Sequence, residues 1–349
     1  MMHNTTYRVL GAMAGSSMDG LDVAIVHFQF GGNAWSFKLE RAETIAYPDT
    51  LFSRLAAAPG ASLPAQKQLD EDFGAWIGST LREFVADEPI ALAAVHGHTI
   101  VHAPGDGISW QLGKGEVIAN QLPLPVISDF RTKDIQLGGE GAPLVPYGDF
   151  QLFHAYDACL NLGGIANVSL RKQQIAWDIC PCNQVLNSFS GKLGMAFDHN
   201  GTIASTGNLD EAFIRQIREL SYFHQPPPKS LPNHFIPSKL LNLHPKNGLR
   251  SFTEFIALQI ANDLQPYQAK NQKLLVTGGG AFNRYLIERI RHHLKSWEVI
   301  LPEPDIINFK EAIIFAFLGL LRFRNEVNVL KSVTGATSDS SSGVIHLPK

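Results

Sequence analysis

Three glycine turns in this chain carry the residue types that handle phosphate. The run Gly15-Ser16-Ser17-Met18-Asp19-Gly20-Leu21-Asp22 combines a turn with two hydroxyl donors and two carboxylates. Gly163-Gly164 and Gly278-Gly279-Gly280 each follow an apolar run. Such turns expose backbone N–H groups that an anion can approach, because no Cβ stands in the way. In the first turn Ser16 and Ser17 add side-chain donors, and Asp19 is close enough to hold a hydrated divalent cation. The third turn, Gly278-Gly279-Gly280, runs into Asn283 and a segment of helical spacing and is expected to open that helix, whose N-terminal dipole favours phosphate. The plainer alternative is that each glycine only permits a tight turn. Three turns in one chain, two of them in a repeated setting, favour the phosphate reading. No Walker sequence and no G-x-G-x-x-G occurs, which excludes a P-loop or dinucleotide-binding protein.

The elements that must position these turns follow from apolar spacing. Arg8–Ala14 and Leu21–Val26 flank the first turn as a strand–turn–strand hairpin, and Ala158–Leu162 with Ile165–Leu170 repeats that shape half a chain later. The third run, Leu274–Thr277, differs by leading into Arg284–Ile290, whose spacing is helical. Leu69, Phe73, Ile77, Leu81 and Phe84 mark one face of an amphipathic helix, as do Phe252, Phe255, Ile256, Ile260 and Leu264. Ala312–Leu321 is apolar on all sides and is expected between layers. Pro226-Pro227-Pro228 marks an exposed loop. Strands and helices in both halves predict an α/β architecture.

Length and composition narrow the function classes. At 349 residues the chain exceeds the size at which a single core stops growing, so two domains are expected. A 45% hydrophobic and 17% charged composition excludes a disordered tail, a collagen-like fibre and a coiled coil. The net charge of −3 gives no electrostatic reason to expect nucleic acid or an anionic membrane as partner. The longest apolar run, Ala312–Leu321, is half of the roughly 20 residues that span a bilayer. The polar start His3-Asn4-Thr5-Thr6 lacks the apolar stretch of a secretory signal. Three cysteines, Cys159, Cys180 and Cys182, make no disulfide framework, and Cys180-Pro181-Cys182 has the wrong spacing for a redox motif. A reduced cytoplasm is the expected compartment.

With these features in place, the chain resembles the anhydro-N-acetylmuramic acid kinases along nearly its whole length. The first turn is similar to their Gly-Thr-Ser-Leu-Asp-Gly element. Further matching runs follow in family order: His96–His102, Asp129-Phe130-Arg131, Gly138–Pro146, Asn161–Asn167, Gly278–Gly280 with Asn283, Lys310-Glu311-Ala312 and Ser332–Ala336. The resemblance implies two ribonuclease H-like domains of the sugar kinase, actin and Hsp70 superfamily, with ATP in the interdomain cleft. The expected division is 1–147, carrying the phosphate hairpin and sugar-contacting loops, and 148–349, carrying the catalytic residue and a glycine loop, with the terminal segment able to cross back. It further implies ATP and Mg2+ as cofactors, an anhydro sugar as substrate and a role in peptidoglycan recycling, while a homodimer stays open.

The implied chemistry is specific. A 1,6-anhydro sugar has no free 6-hydroxyl, so the family couples attack of water at C1 to phosphoryl transfer from ATP to O6, giving ADP and N-acetylmuramic acid 6-phosphate. That needs a carboxylate to deprotonate water and a cation to neutralise the γ-phosphate. By motif position Asp178 matches the base, the alternative being a turn or helix cap. The resemblance assigns the nucleotide to residues 15–22, Gly163, Gly164, Gly278–Gly280 and Asn283, the metal to Asp19, and the sugar to His98, Thr99, His102, Asp129, Arg131 and Glu311. His98 and His102 also have a metal-binding H-x-x-x-H spacing and, at i and i+4, share a strand face. Metal ligation, substrate hydrogen bonding and a structural role all remain open for them. Arg131 suits bidentate capture of a lactyl carboxylate, with Asp129 orienting it or binding a hydroxyl, or the two form a surface salt bridge.

The chain departs from the family at Asp178-Ile179-Cys180-Pro181-Cys182-Asn183, where many members carry Asp-Thr-Gly-Pro-Gly-Asn. A Cβ at 180 and 182 is expected to disfavour positive φ and to narrow the backbone's approach to a ligand. Glu140 replaces a usual Gln and adds a negative charge. Two other functions compete: a kinase of a different anhydro sugar, and a nucleotide-binding regulator without catalysis, the latter suggested by the cysteines.

Overall fold

The computed structural model describes residues 5–15, 18–232 and 235–349. Ser16 and Ser17, expected in the first phosphate turn, lie outside the described residues. Two compact units emerge, one from 1–152 together with 309–349 and the other from 153–308. The first contains strands β1 (Thr5–Ala14), β2 (Leu21–Gly31), β3 (Ala34–Ile45), β4 (Leu92–His96), β5 (His98–Ala103), β6 (Ile108–Leu112) and β7 (Val126–Ser128). The second contains β8 (Ala158–Leu162), β9 (Ile165–Leu170), β10 (Ile175–Pro181), β11 (Gln272–Thr277) and β12 (Trp297–Ile300), and β13 (Val344–His346) belongs to the first again.

The two main sheets share one topology. In the first unit the order is β3-β2-β1-β4-β7, with β13 added antiparallel at the β7 edge. In the second it is β10-β9-β8-β11-β12. Each begins with two antiparallel hairpin pairings and continues through two parallel ones, β1–β4–β7 and β8–β11–β12. Parallel pairing requires a crossover, and helices supply it. Helices Asp49–Ala57 and Leu63–Val85 lie between β3 and β4, and Pro245–Leu264 lies between β10 and β11. The repeat read from the two glycine hairpins is therefore a repeat of a whole five-strand sheet with the same strand order and directions, as the expected ribonuclease H-like units require.

Each unit has its own core. In the first, Leu69, Phe73, Ile77, Leu81 and Phe84 of the long helix are buried with Leu10, Ala12, Val23 and Val95 of the sheet. In the second, Phe252, Phe255, Ile256, Ile260 and Leu264 pack with Leu160, Val168 and Val276. All three cysteines are buried and none is in a disulfide. Among the described residues no helix is long and apolar enough to cross a membrane.

The unit boundaries differ from the expected cut after 147. Val145–Leu152 is a helix of the first unit, and its Gly148 lies against Ile314. The apolar helix Pro304–Phe323 passes from the second unit into the first at Phe309. A Cβ at Gly11 of β1 would run into the Ala312 carbonyl, and Phe317 lies 5.5 Å from Phe28 of β2. The buried Asn328 amide then bonds the Leu318 and Ser342 carbonyls, which leads the terminal segment to β13. Packing on the first sheet is why residues from 309 onward belong there.

Candidate active site

In the first unit the β1–β2 hairpin pairs Met13 with Asp22 and Ala14 with Leu21, which leaves Gly15, Met18, Asp19 and Gly20 outside the strands at its turn. Met18 in that loop adopts a left-handed φ of 58°. Asp19 is exposed, whereas Asp22 is half-buried and accepts a 2.6 Å bond from the Thr44 hydroxyl. Burial pushes the Asp22 carboxyl up to about 6, and the negative charges of Asp19 and Glu311 add to the shift against the Thr44 bond. Asp19, Asp22 and Glu311 therefore share one electrostatic neighbourhood. Burial also raises Glu311, opposed by the cations of Lys310 and Arg131. Lys310 itself pairs with Asp149 at 2.9 Å, both side chains being nearly inaccessible.

Arg131 joins this group from the loop after β7. Its Nε donates to His96 Nε2 at 3.1 Å and its Nη1 to the Gly141 carbonyl at 2.7 Å. Burial lowers the guanidinium to about 10, and Glu311 works against that. The His96 ring, fully buried and beside that cation, is pushed well below the usual histidine range and is neutral. Since its Nε2 accepts, its proton is assigned to Nδ1. His98 is hydrogen-bonded to the Gly15 backbone, which ties β5 to the phosphate hairpin, and burial lowers its pKa. His102 is exposed, bonds Ser109 through Nδ1 at 3.0 Å and lies within the fields of Arg131 and Glu140. Thr99, half-buried, pairs with Gln111.

Two expectations for this region are corrected. His98 and His102 do not share a strand face. The β5–β6 register slips between Thr99 and Val101, and the extra residue reverses the alternation beyond it. Among the described residues no group of three or more His, Cys, Asp or Glu side chains is arranged to hold a metal. Asp129 and Arg131 do not form a salt bridge with each other. Arg131 turns to His96 and Gly141, while Asp129, at a left-handed φ of 52°, accepts from the Thr132 N–H at 3.3 Å and lies in the field of His346.

In the second unit Asp178 sits on β10 at a bulge, where the register against β9 shifts between Asp178 and Cys180. Bulges beside sites re-aim a side chain, and here the backbone around Asp178 is held on every side. Its N–H donates to the Lys229 carbonyl at 3.0 Å, its carbonyl accepts from the Tyr222 hydroxyl, and its Oδ2 accepts from the Leu231 N–H at 2.8 Å. Burial raises the Asp178 carboxyl, and the Leu231 bond opposes the rise. A raised pKa makes a carboxylate a better proton acceptor than one at its ordinary value.

The cysteines beside it do not narrow a ligand's path. Cys180 and Cys182 are fully buried among Trp177, Ile179 and Phe189 in the core of the unit, at negative or extended φ. Burial raises both thiols, Cys182 to about 12. Because the bulge turns these side chains into the core, glycine is not required there.

The two glycine turns of this unit are organised differently from each other. The Gly163 and Gly164 carbonyls accept from the N–H groups of Cys182, Asn183 and Gln184, which fastens the hairpin to the first turn of helix Asn183–Gly191. Gly278 has a φ of 80° and lies tightly against Leu162, a place where no side chain fits. The expectation that Gly278–Gly280 opens a helix is corrected. A 3-10 turn, Gly279–Phe282, intervenes, and the α-helix Arg284–His293 begins after Asn283, whose Oδ1 caps the Leu286 N–H at 3.0 Å.

Several organising residues carried no signal in the sequence. Asp134 is fully buried and accepts from the Gly141 N–H and the Thr334 hydroxyl, so it joins the Gly138–Pro146 and Ser332–Ala336 motifs. Tyr222, Lys229 and Leu231 reach Asp178 from a segment around a proline triplet that reads only as a loop.

Comparison with known proteins follows the same lines. The sequence profile of the family described as anhydro-N-acetylmuramic acid kinase matches residues 7–348. A protein of that name from Synechocystis sp. is 33% identical over 97% of this chain and 98% of its own length. One from Methylobacterium nodulans is 31% identical over 98% of this chain and all of its own. Among solved structures, an activator of 2-hydroxyisocaproyl-CoA dehydratase from Clostridium difficile aligns over 92% of this chain at 13% identity and a TM-score of 0.43.

Proposed function

The chain belongs to the anhydro-N-acetylmuramic acid kinase family, and from that premise we propose that it cleaves the 1,6-anhydro bond of anhydro-N-acetylmuramic acid while transferring the γ-phosphoryl group of ATP to O6. The observation that carries the reading is Asp178. Its carboxyl is raised by burial and its Oδ2 is fixed by the Leu231 N–H, which leaves Oδ1 to take a proton from water. The water attacks C1, the C1–O6 bond breaks, and the freed O6 accepts the phosphoryl group, so no alkoxide need persist. In the first unit Arg131 and Glu311 are the groups for the sugar, with His98 holding the phosphate hairpin through Gly15. The glycine turns offer backbone N–H groups to the triphosphate.

Mg2+ fits the carboxylates of the first hairpin. It is usually bound by one or two carboxylates plus substrate phosphates, and Asp19 beside Asp22 supplies that many. Burial raises the Asp22 carboxyl most, and the negative charges of Asp19 and Glu311 that add to the rise are ones a divalent cation would offset. Bound there, the ion would neutralise phosphate charge. The cysteines that favoured a non-catalytic reading lie in the core and lend it no support.

A coupled ADP-release assay with ATP, Mg2+ and the anhydro sugar tests the reading. Sugar-dependent ADP is expected from the wild type, and Asp178→Asn is expected to lose about 10²–10⁴-fold in turnover while still binding ATP. No ADP above background from folded wild type would remove the activity. Retention of more than about a third of it by the Asn variant would remove the base.

A further inference from the structure

A buried ion pair stands behind Asp178. Lys229 Nζ lies 3.5 Å from Asp263 Oδ2, with the two side chains only 4% and 6% exposed. Asp263 is itself held by Trp177 Nε1 at 2.9 Å and Gln259 Nε2 at 2.7 Å, and the Lys229 ammonium rests 4.8 Å from the centre of the Tyr222 ring. A buried pair contributes little to stability compared with apolar packing of the same volume, so its presence calls for another reason. Its location supplies one. Lys229 gives its carbonyl to the Asp178 N–H, Leu231 two residues on gives its N–H to Asp178 Oδ2, and Tyr222 under the ammonium bonds the Asp178 carbonyl. Trp177, the residue before Asp178, is anchored to the same Asp263.

We infer that Lys229 and Asp263 are positioning residues for the base: their ion pair fastens segment 229–231 so that the Leu231 N–H occupies Oδ2 and only Oδ1 of Asp178 is presented to water. The inference rests on Asp178 being the base. Without the pair the segment is tied to the core only through neutral contacts, and the Leu231 bond loosens. Two consequences follow. The carboxylate gains rotational freedom, and misplacement of a reacting group on the order of 1 Å costs up to about 10²-fold in rate. The carboxyl also loses a donor that favours its charged form, so its pKa rises further. The ionisable groups around it are Tyr222, Cys180, Lys229 and Asp263. Burial pushes the Tyr222 hydroxyl and the Cys180 thiol far up, so both stay neutral through the working range.

The double variant Lys229→Met/Asp263→Asn removes both charges together while keeping an acceptor for Trp177, which spares the fold an unpaired buried charge. Expected is a fall in kcat of at least about tenfold, KM for sugar and for ATP within about twofold, and an acid limb of the kcat–pH profile moved to higher pH. Lys229→Arg, which keeps the pair, is expected to hold the wild-type limb. Should the double variant not be recovered folded, Lys229→Gln/Asp263→Asn, which also removes both charges and leaves no buried ion unpaired, is read in its place, with the same shift expected. An unchanged kcat and pH profile overturns the inference. So does a uniform loss of kcat with the acid limb in place, which is what mere structural damage produces. Asp178→Asn measured alongside separates the two levels. If it stays active the base assignment fails, whereas an inactive Asn variant beside an unaffected double variant condemns only the positioning role.

Discussion

At the scale of single residues the site depends on carboxyls whose surroundings set their protonation. Asp22 is the clearest in the first unit, raised from 3.8 to about 6 by burial and by Asp19 and Glu311. Between those values the folded protein keeps a proton that the unfolded chain has released. The contribution of Asp22 to stability is therefore fullest below its unfolded value and declines as pH rises through about 6. Urea midpoints of the wild type and Asp22→Asn, compared at pH 5 and pH 7 without divalent cation, check this. The wild type should lose ground against the variant at pH 7, and a difference independent of pH would contradict the shared negative field. The carboxylates themselves were legible in the sequence, Asp178 and Asp19 from the motifs they belong to. Their partners were not. Leu231 acts on Asp178 across 53 positions and does so through a backbone N–H, which no residue type announces. The partners of Arg131, His96 and the Gly141 carbonyl, depend on a loop path that spacing does not encode.

Secondary-structure elements were read best where one period dominates. The two hairpins, the long helix carrying Phe73 and the helix carrying Phe252 all form where their apolar spacing placed them. Misreadings cluster where one extra residue or one tight turn resets the pattern. The bulge in β5 separates His98 from His102, the bulge in β10 turns Cys180 inward, and the 3-10 turn after Gly278 delays the helix to Arg284. Each is a local backbone event with no change in hydrophobic period. The tightest packing between elements is testable at Gly11, where β1 meets the apolar helix. A methyl there would collide with the Ala312 carbonyl and come within 2.9 Å of the Ala316 Cβ. Because the obstacle is backbone, Gly11→Ala should lower stability by about 1–3 kcal/mol, as overpacking does. A urea midpoint equal to that of the wild type would show that the helix does not lie so close.

At the scale of the whole chain the repeated sheet order is the organising fact, and it was legible because the same glycine hairpin restarts at mid-chain. The resemblance allowed the terminal segment to cross back, but the point of return at residue 309 was not legible, since an all-apolar helix carries no sign of which sheet it will cover. The second unit carries Asp178 and two glycine turns, and the first carries the carboxylate hairpin, Arg131 and Glu311. The proposed reaction requires water to be directed to carbon and kept from phosphorus. Oxygen-18 water reads that division directly. With ATP, Mg2+ and anhydro-N-acetylmuramic acid in labelled water, the product should be the opened 6-phosphate. One label should sit on C1 and none in the phosphoryl group, read promptly against unlabelled product held in the same water for the same time. Labelled inorganic phosphate with the sugar still bridged, or a C1 label no greater than in that control, would contradict attack at C1 coupled to transfer at O6.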